Sequence, residues 1–361
     1  MPRELRATTG RVGRLRLRGS GDRARSAAPL AFAGTLLLLV TALSGCGQEK
    51  AGDAGSTGAQ QDGTTVARKF LTVNDTPGAG LEGPCFDRSN RYLFVTEGNR
   101  VVRIEVATKK VSTFYTAEKG MVLNDCAIHA DGRLFVGDLG VGGAGRILAI
   151  AADGSSARPV LTSFHGKHIH PNGMEFDRDG NLYWNDFKGN AVDKSGSVMR
   201  TTADLTSTKK IVDGLAWPNG ISLTPDGTRL WVSEMLENRL LQIDLTPDGT
   251  AVQTLGAIGG GVRVVTRFSG GLGPDSLKVD ADGNVYQALC GTGRVRIIDS
   301  AGNRVKDVVV PGLREGRALD RQGVVIMPGT RRAFMVGSGT DGATVQEFKA
   351  LDTDRWRFSH L

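Results

Sequence analysis

The chain has 361 residues, 40% of them hydrophobic and 50 of them glycine, with 45 basic and 38 acidic side chains and a formal charge of +7. The excess is confined to the first 45 residues, which hold eight arginines against Glu4 and Asp22; removing these leaves 37 basic and 36 acidic residues, about +1. A near-neutral remainder excludes the basic face that nucleic-acid binding needs, and its length suits one large domain.

Arg3, Arg6, Arg11, Arg14, Arg16, Arg18, Arg23 and Arg25 precede an apolar run from Ala27 to Leu43, the pattern of an export signal over residues 1–45. The run ends Leu43-Ser44-Gly45-Cys46, which resembles the bacterial lipobox and implies a lipidated Cys46. An ordinary secretory signal or a membrane anchor is the plainer alternative. Residues 46–63 continue in Gly, Ala, Gln, Ser and Asp without periodicity, a flexible tether ahead of a folded head over residues 64–361.

From Glu82 onward one unit repeats: an oxygen-bearing residue, a short strand, a tight turn and a second strand. Seven residues before Asp131, Asp179, Asp226 and Asp282, each followed by Gly, stand Asn124, Asn172, Asn219 and Asp275. Weaker copies put Glu82 before Ser89-Asn90 and Gln322 before Pro328-Gly329. The steps between these six positions are 42, 48, 47, 56 and 47 residues. A period of about 40 to 50 residues built from roughly four strands predicts an all-β, six-bladed β-propeller around a central channel.

In chain order, blade one has further strands at 92–96, 101–106 and 111–115, blade two at 134–136, 147–150 and 160–162, and blade three at 182–184, 198–201 and 210–212. Strands at 240–245, 262–268, 295–299 and 305–310 serve blades four and five. Blade six takes 324–327, 333–336 and 344–348 and borrows Thr65 to Leu71 as its outer strand, which closes the ring and removes an exposed edge. Arg355 to Leu361 find no place in this plan.

If the first strand of each blade lines the axis, Glu82, Asn124, Asn172, Asn219, Asp275 and Gln322 form a ring of oxygens at one end of the channel. Two carboxylates among amides suit a hard cation such as calcium, which takes about 6 to 8 oxygen ligands. Taken singly, Pro-Asn-Gly is a turn signal; the shared register makes the ring a site, with Gln322 the structural member. His165, His168 and His170 crowd the loop entering Asn172, where a neutral imidazole can relay a proton, although solvated loop histidines are common. Cys85, Cys126 and Cys290 lack metal-binding spacing. Cys85 and Cys126 hold nearly matched places on neighbouring inner strands, and the expectation is buried free thiols rather than a disulfide.

The ordered series Glu82-Gly83-Pro84, Asn124-Asp125, Pro171-Asn172-Gly173, Pro218-Asn219-Gly220 and Pro274-Asp275-Ser276 resembles the six-bladed family of senescence marker protein, gluconolactonase and luciferin-regenerating enzyme, over roughly residues 64–340. More distantly it is similar to calcium-dependent diisopropylfluorophosphatases and paraoxonases. The resemblance implies a divalent metal in the channel, calcium first, with manganese, magnesium and zinc as the other candidates. Its ligands would be Glu82, Asn172, Asn219 and Asp275, with Asn124, Asp125 and Ser276 beside the substrate. Catalysis would fall to Asp275, His170 or His168, in metal-assisted hydrolysis of a lactone or related ester, phosphotriesters included.

The chain is thus expected to be a monomeric lactonase on a small-molecule substrate, held by Cys46 at the outer face of a bacterial membrane. The competing reading is a non-catalytic propeller lipoprotein that binds a sugar, peptide or protein partner and keeps calcium for structure.

Overall fold

The computed structural model describes residues 63–141, 143–254, 260–312, 322–339 and 341–351. The leader, Cys46, most of the tether and Arg355 to Leu361 lie outside the described residues.

Six antiparallel sheets of four strands, blades one to six, account for the fold. Each is a meander whose first strand pairs with the second, the second with the third and the third with the outermost. The inner strands are Glu82–Phe86, Leu123–Ile128, Pro171–Phe176, Pro218–Leu223, Gly273–Val279 and Gln322–Ile326. Each touches the next, and the last touches the first, so they close around one axis. The turn leaving each inner strand has the expected chemistry: Gly132, Gly180, Gly227, Gly283 and Gly329 take positive φ, and in blade one Asn90 does so at 61°. Aliphatic and aromatic side chains fill the spaces between blades. Six apolar clusters result, one at each blade interface, such as Phe70, Leu93, Val95, Phe334 and Val336 between blades six and one.

The ring closes through the N-terminal strand, with one correction to the expected segment. Arg68–Asn74 is the outer strand of blade six, antiparallel to Gly342–Lys349. Thr64–Val66 instead runs parallel to Arg304–Val309 and adds a fifth strand to blade five, with Thr64 opposite Asp307. Residues 65–71 are therefore divided between two blades, because Ala67 is buried in the core between them.

Pro-Asn-Gly proves to be no turn. In blades three and four it begins the inner strand and carries a register shift, between Pro171 and Met174 and between Pro218 and Ile221. Its glycine is fixed by crowding: a Cβ on Gly220 would stand 2.5 Å from the Leu277 backbone nitrogen, and one on Gly173 would overlap the Asn219 carbonyl oxygen. The Cys85 expectation is also overturned. Cys85 and Cys126 form a disulfide with Cα atoms 5.9 Å apart, tying the inner strands of blades one and two, while Cys290 is free and buried.

The disulfide closes a loop with a sequence separation of 41 residues, worth roughly 4 kcal/mol by loss of chain entropy in the unfolded state. Replacing both cysteines by alanine is expected to lower the unfolding free energy by about 2 to 4 kcal/mol, read by urea denaturation without reductant. A loss under about 0.5 kcal/mol would mean that the blade interface is held by packing alone.

Candidate functional site

The inner-strand geometry brings the repeated oxygens together. Asn124, Asn172, Asn219, Asp275 and Gln322 are all buried, and Glu82 is half-buried at the start of its strand. The amides of Asn124 and Asn172 have no hydrogen-bond partner among the described residues. Their side chains sit in equivalent places on neighbouring inner strands, and each amide offers an oxygen that could bind a cation. Gln322 differs. Its backbone N–H donates to Asp275 Oδ2 at 3.1 Å, and with its amide correctly oriented it donates to the Leu289 carbonyl and accepts from the Arg294 N–H. It is a bracket between blades five and six.

Asp275 sits at the centre of this arrangement. Its carboxylate accepts the Ser276 and Gln322 N–H groups, and the nearby Asn219 and Cys290 side chains also favour its ionised form. Burial pushes its carboxyl up to about 6, against those hydrogen bonds, which pull the other way. Its backbone carbonyl is pinned by Ser233 Oγ at 2.6 Å and Gln287 Nε2 at 2.9 Å, and Asn185 Nδ2 holds the Asn219 carbonyl at 2.6 Å.

Glu82, Asn172, Asn219 and Asp275 fit a hard cation by their chemistry: oxygens from four different blades, two of them carboxylate, one carboxyl destabilised by burial until a positive charge is near. Among the described residues no three His, Cys, Asp or Glu side chains cluster as a metal site, so amide oxygens have to complete the set.

The remaining expected residues are dispersed. Asp125 spends both oxygens on backbone N–H groups, Cys126 at 2.9 Å and Met174 at 2.8 Å, and is a strut between blades two and three. Ser276 stands where blades three and four have glycine, and its carbonyl accepts from Gln287. His170 is half-buried, with Nδ1 2.7 Å from the Leu139 carbonyl and its backbone N–H on Asp186 Oδ1 at 2.7 Å. His168 is exposed on a small hairpin and lines a separate cavity of ≈470 Å³ together with Lys167, Lys188, Lys194 and Lys210; none of the ring residues reaches that cavity.

Two features escaped the sequence reading. The second strand of blades one to four ends in a carboxylate, Glu97, Asp138, Asp186 or Glu234, each buried. A basic residue neutralises each: Arg100, Arg146 and Arg239 at the start of the third strand, and Lys188 two residues after its acid. In blades two to four the acid also accepts an N–H from the segment leading into the inner strand, at Val122, His170 and Ala216. The same repeat register that located the ring locates these acids. The second feature lies three residues further along the inner strands, where a cavity of ≈120 Å³ is lined by Cys85, Ala127, Glu175, Lys278 and Val325 among others. Burial raises the Glu175 carboxyl, opposed by the Lys278 ammonium.

Comparison with known proteins agrees with this architecture. The SMP-30/Gluconolactonase/LRE-like region is matched by residues 141–315. Lactonase drp35 of Staphylococcus saprophyticus is 33% identical over 299 residues, covering 81% of this chain and 89% of that protein. Two solved structures share the fold: the calcium-binding protein regucalcin from Agrobacterium tumefaciens, with a TM-score of 0.63 and 18% identity over 82% of this chain and 100% of that one, and a gluconolactonase from Xanthomonas campestris, with 0.60 and 23% over 78% and 90%.

The raised Asp275 carboxyl fixes a pH dependence. Its folded value of about 6 lies above the ordinary 3.8, so the stability it contributes without a cation is complete below about pH 4 and is lost as pH rises through 6, by on the order of 3 kcal/mol. Urea unfolding in chelator from pH 4 to 7 is expected to show this decline and Asp275→Asn to flatten it. An equal slope in the variant would remove Asp275 as its source.

Proposed function

Since the chain belongs to the SMP-30/gluconolactonase/LRE-like family of six-bladed propellers, we propose that it is a lactonase whose channel ring binds a divalent cation, calcium first, and hydrolyses a lactone. The observation that carries the reading is the buried ring itself: two unpartnered amides beside a carboxyl whose ionised form burial disfavours. A propeller used only as scaffold has no need to gather amides and carboxylates at one end of its inner strands. The matched relative's printed name, a lactonase, and the printed calcium binding of regucalcin support the substrate class and the ion.

In this reading Glu82, Asn172, Asn219 and Asp275 hold the ion, which when bound polarises the ester carbonyl and offsets the charge that develops on its oxygen. Asn124 lies next in the ring with a free amide and orients the substrate. His170 is the base. A carbonyl oxygen only accepts, so the contact with Leu139 puts a proton on Nδ1, and the base form of the ring carries its lone pair on Nε2. Water gives its proton to Nε2 as its oxygen bonds to the carbonyl carbon. When the ring C–O bond breaks, the leaving alkoxide takes that proton back, giving the hydroxy acid. Asp186 fixes the His170 backbone, and Lys188 neutralises Asp186 at 2.8 Å. Anchorage through Cys46 at the outer face of a bacterial membrane completes the proposal, on the leader sequence alone.

The test is turnover of a lactone panel and one phosphotriester by the full chain, with calcium and then with chelator. Lactone turnover abolished by chelator and restored by calcium is expected; calcium binding without any turnover would favour the non-catalytic propeller.

Substitutions separate the roles. Asp275→Ala and Glu82→Ala are expected to lose calcium binding and activity together. His170→Ala keeps calcium by titration calorimetry and loses about 100-fold or more in kcat, whereas His168→Ala keeps both. A fully active Asp275→Ala protein without calcium would sink the site.

A further inference from the structure

The segments that lead into the inner strands follow one pattern, and blade four breaks it. In blades two and three a single residue does two jobs: its N–H donates to the buried acid of the second strand, and its carbonyl accepts from the residue after that acid. Val122 does this with Asp138 and Leu139, and His170 with Asp186 and Phe187. In blade four the jobs are split. The Ala216 N–H goes to Glu234, while the Met235 N–H goes to the Trp217 carbonyl at 3.0 Å. Trp217 therefore keeps the place of Val122 and His170, two residues before the ring position, but its N–H is released from the acid, which Ala216 holds instead.

Trp217 is also strained. Trp217 has φ 54°, a genuine outlier for a bulky side chain. Leu205, His165 and Asn238 share the left-handed region, but Trp217 is the one that enters an inner strand, two residues before Asn219. Its backbone is held from both sides, the N–H on the Lys188 carbonyl at 3.0 Å and the carbonyl on Met235. Strain of this kind persists where the surroundings over-determine it, and it concentrates at functional sites.

Its large aromatic ring is 36% exposed, two residues before Asn219 and so at the end of the inner strands where the oxygen-bearing residues lie. It rests against Phe187, with centroids 4.9 Å apart. The neighbouring entries share this character: Met235 Sδ is 3.8 Å from Asn219 Nδ2, and Leu272, three residues before Asp275, is 63% exposed. The polar ring is therefore bordered on the side of blades four and five by apolar groups, and on the side of blade three by His170.

We propose that Trp217, stacked on Phe187, is a specificity-determining shelf that receives the apolar body of the substrate, so that lactones bearing a hydrocarbon or aromatic face are preferred over polyhydroxylated sugar lactones. This rests on the lactonase reading above. The ring offers a broad apolar face at small entropic loss, and a sugar's hydroxyl groups would lose water there without partners.

The test uses two lactones of equal ring size, δ-decanolactone and glucono-δ-lactone, with the full chain in calcium. Trp217→Gly removes the ring and relieves the left-handed strain, so its melting temperature should equal or exceed that of the parent. KM for δ-decanolactone is expected to rise about tenfold or more, while its kcat and both constants for glucono-δ-lactone stay within about twofold. Phe187→Leu, which keeps the tryptophan but removes its support, should give a smaller rise in the same constant and serves if the glycine variant fails to fold. Equal losses on both lactones, or an unchanged KM for δ-decanolactone, would overturn the shelf. If the parent turns over neither, the lactonase reading fails, and the shelf is judged by calorimetric binding of δ-decanolactone: weakening of about tenfold in Trp217→Gly supports it, and unchanged or absent binding overturns it.

Discussion

Everything in this molecule depends on how closely six inner strands approach one axis. Where Gly173 and Gly220 pass the neighbouring strand there is no room for a Cβ. The strands can therefore interlock backbone to backbone, Asn185 and Ser233 reaching from one blade to hold carbonyls of the next. The same strands carry their register shifts where Asn172 and Asn219 stand. Fold and site have one cause: the crowding that seals the blades also gathers their oxygens.

That site is held by a second, electrostatic layer. Buried acids at the ends of the second strands grip the segments that deliver the ring, and each acid is neutralised locally, as Glu234 is by Arg239 at 2.6 Å. Removing one partner of such a buried pair is costly, because the other is left charged without compensation. The clasps thus hold the ring rigid through backbone contacts and leave the ring's own side chains uncommitted. Asn124 and Asn172 can remain unpartnered only because other groups carry the load.

The repeat made most of this legible. Asp-Gly turns at a fixed distance from an oxygen-bearing residue gave the blade count and the inner strand of each blade, since both follow from strand length and turn chemistry. What stayed hidden was relational. Pro-Asn-Gly looks like a turn unless one knows that a neighbouring strand crosses the glycine. The pairing of Cys85 with Cys126 needed their 5.9 Å Cα separation, because matched places on adjacent strands do not fix which way two side chains point. His168 and His170 look equivalent two residues apart, yet one lines a lysine-rich cavity and the other is fastened to Leu139. The released N–H of Trp217 shows only against the hydrogen bonds of its neighbours.

The N-terminal segment, divided between two blades, also has a mechanical meaning. Any pull on the chain ahead of Gly63 meets first the three exposed residues Thr64–Val66, paired in parallel to blade five, and only then the seven residues Arg68–Asn74 that close blade six. The short strand can peel away while the closing strand stays seated, with Phe70 packed edge-on against Phe334. Release of Thr64–Val66 would cost three residues of edge pairing and leave the closure at Arg68–Asn74 in place.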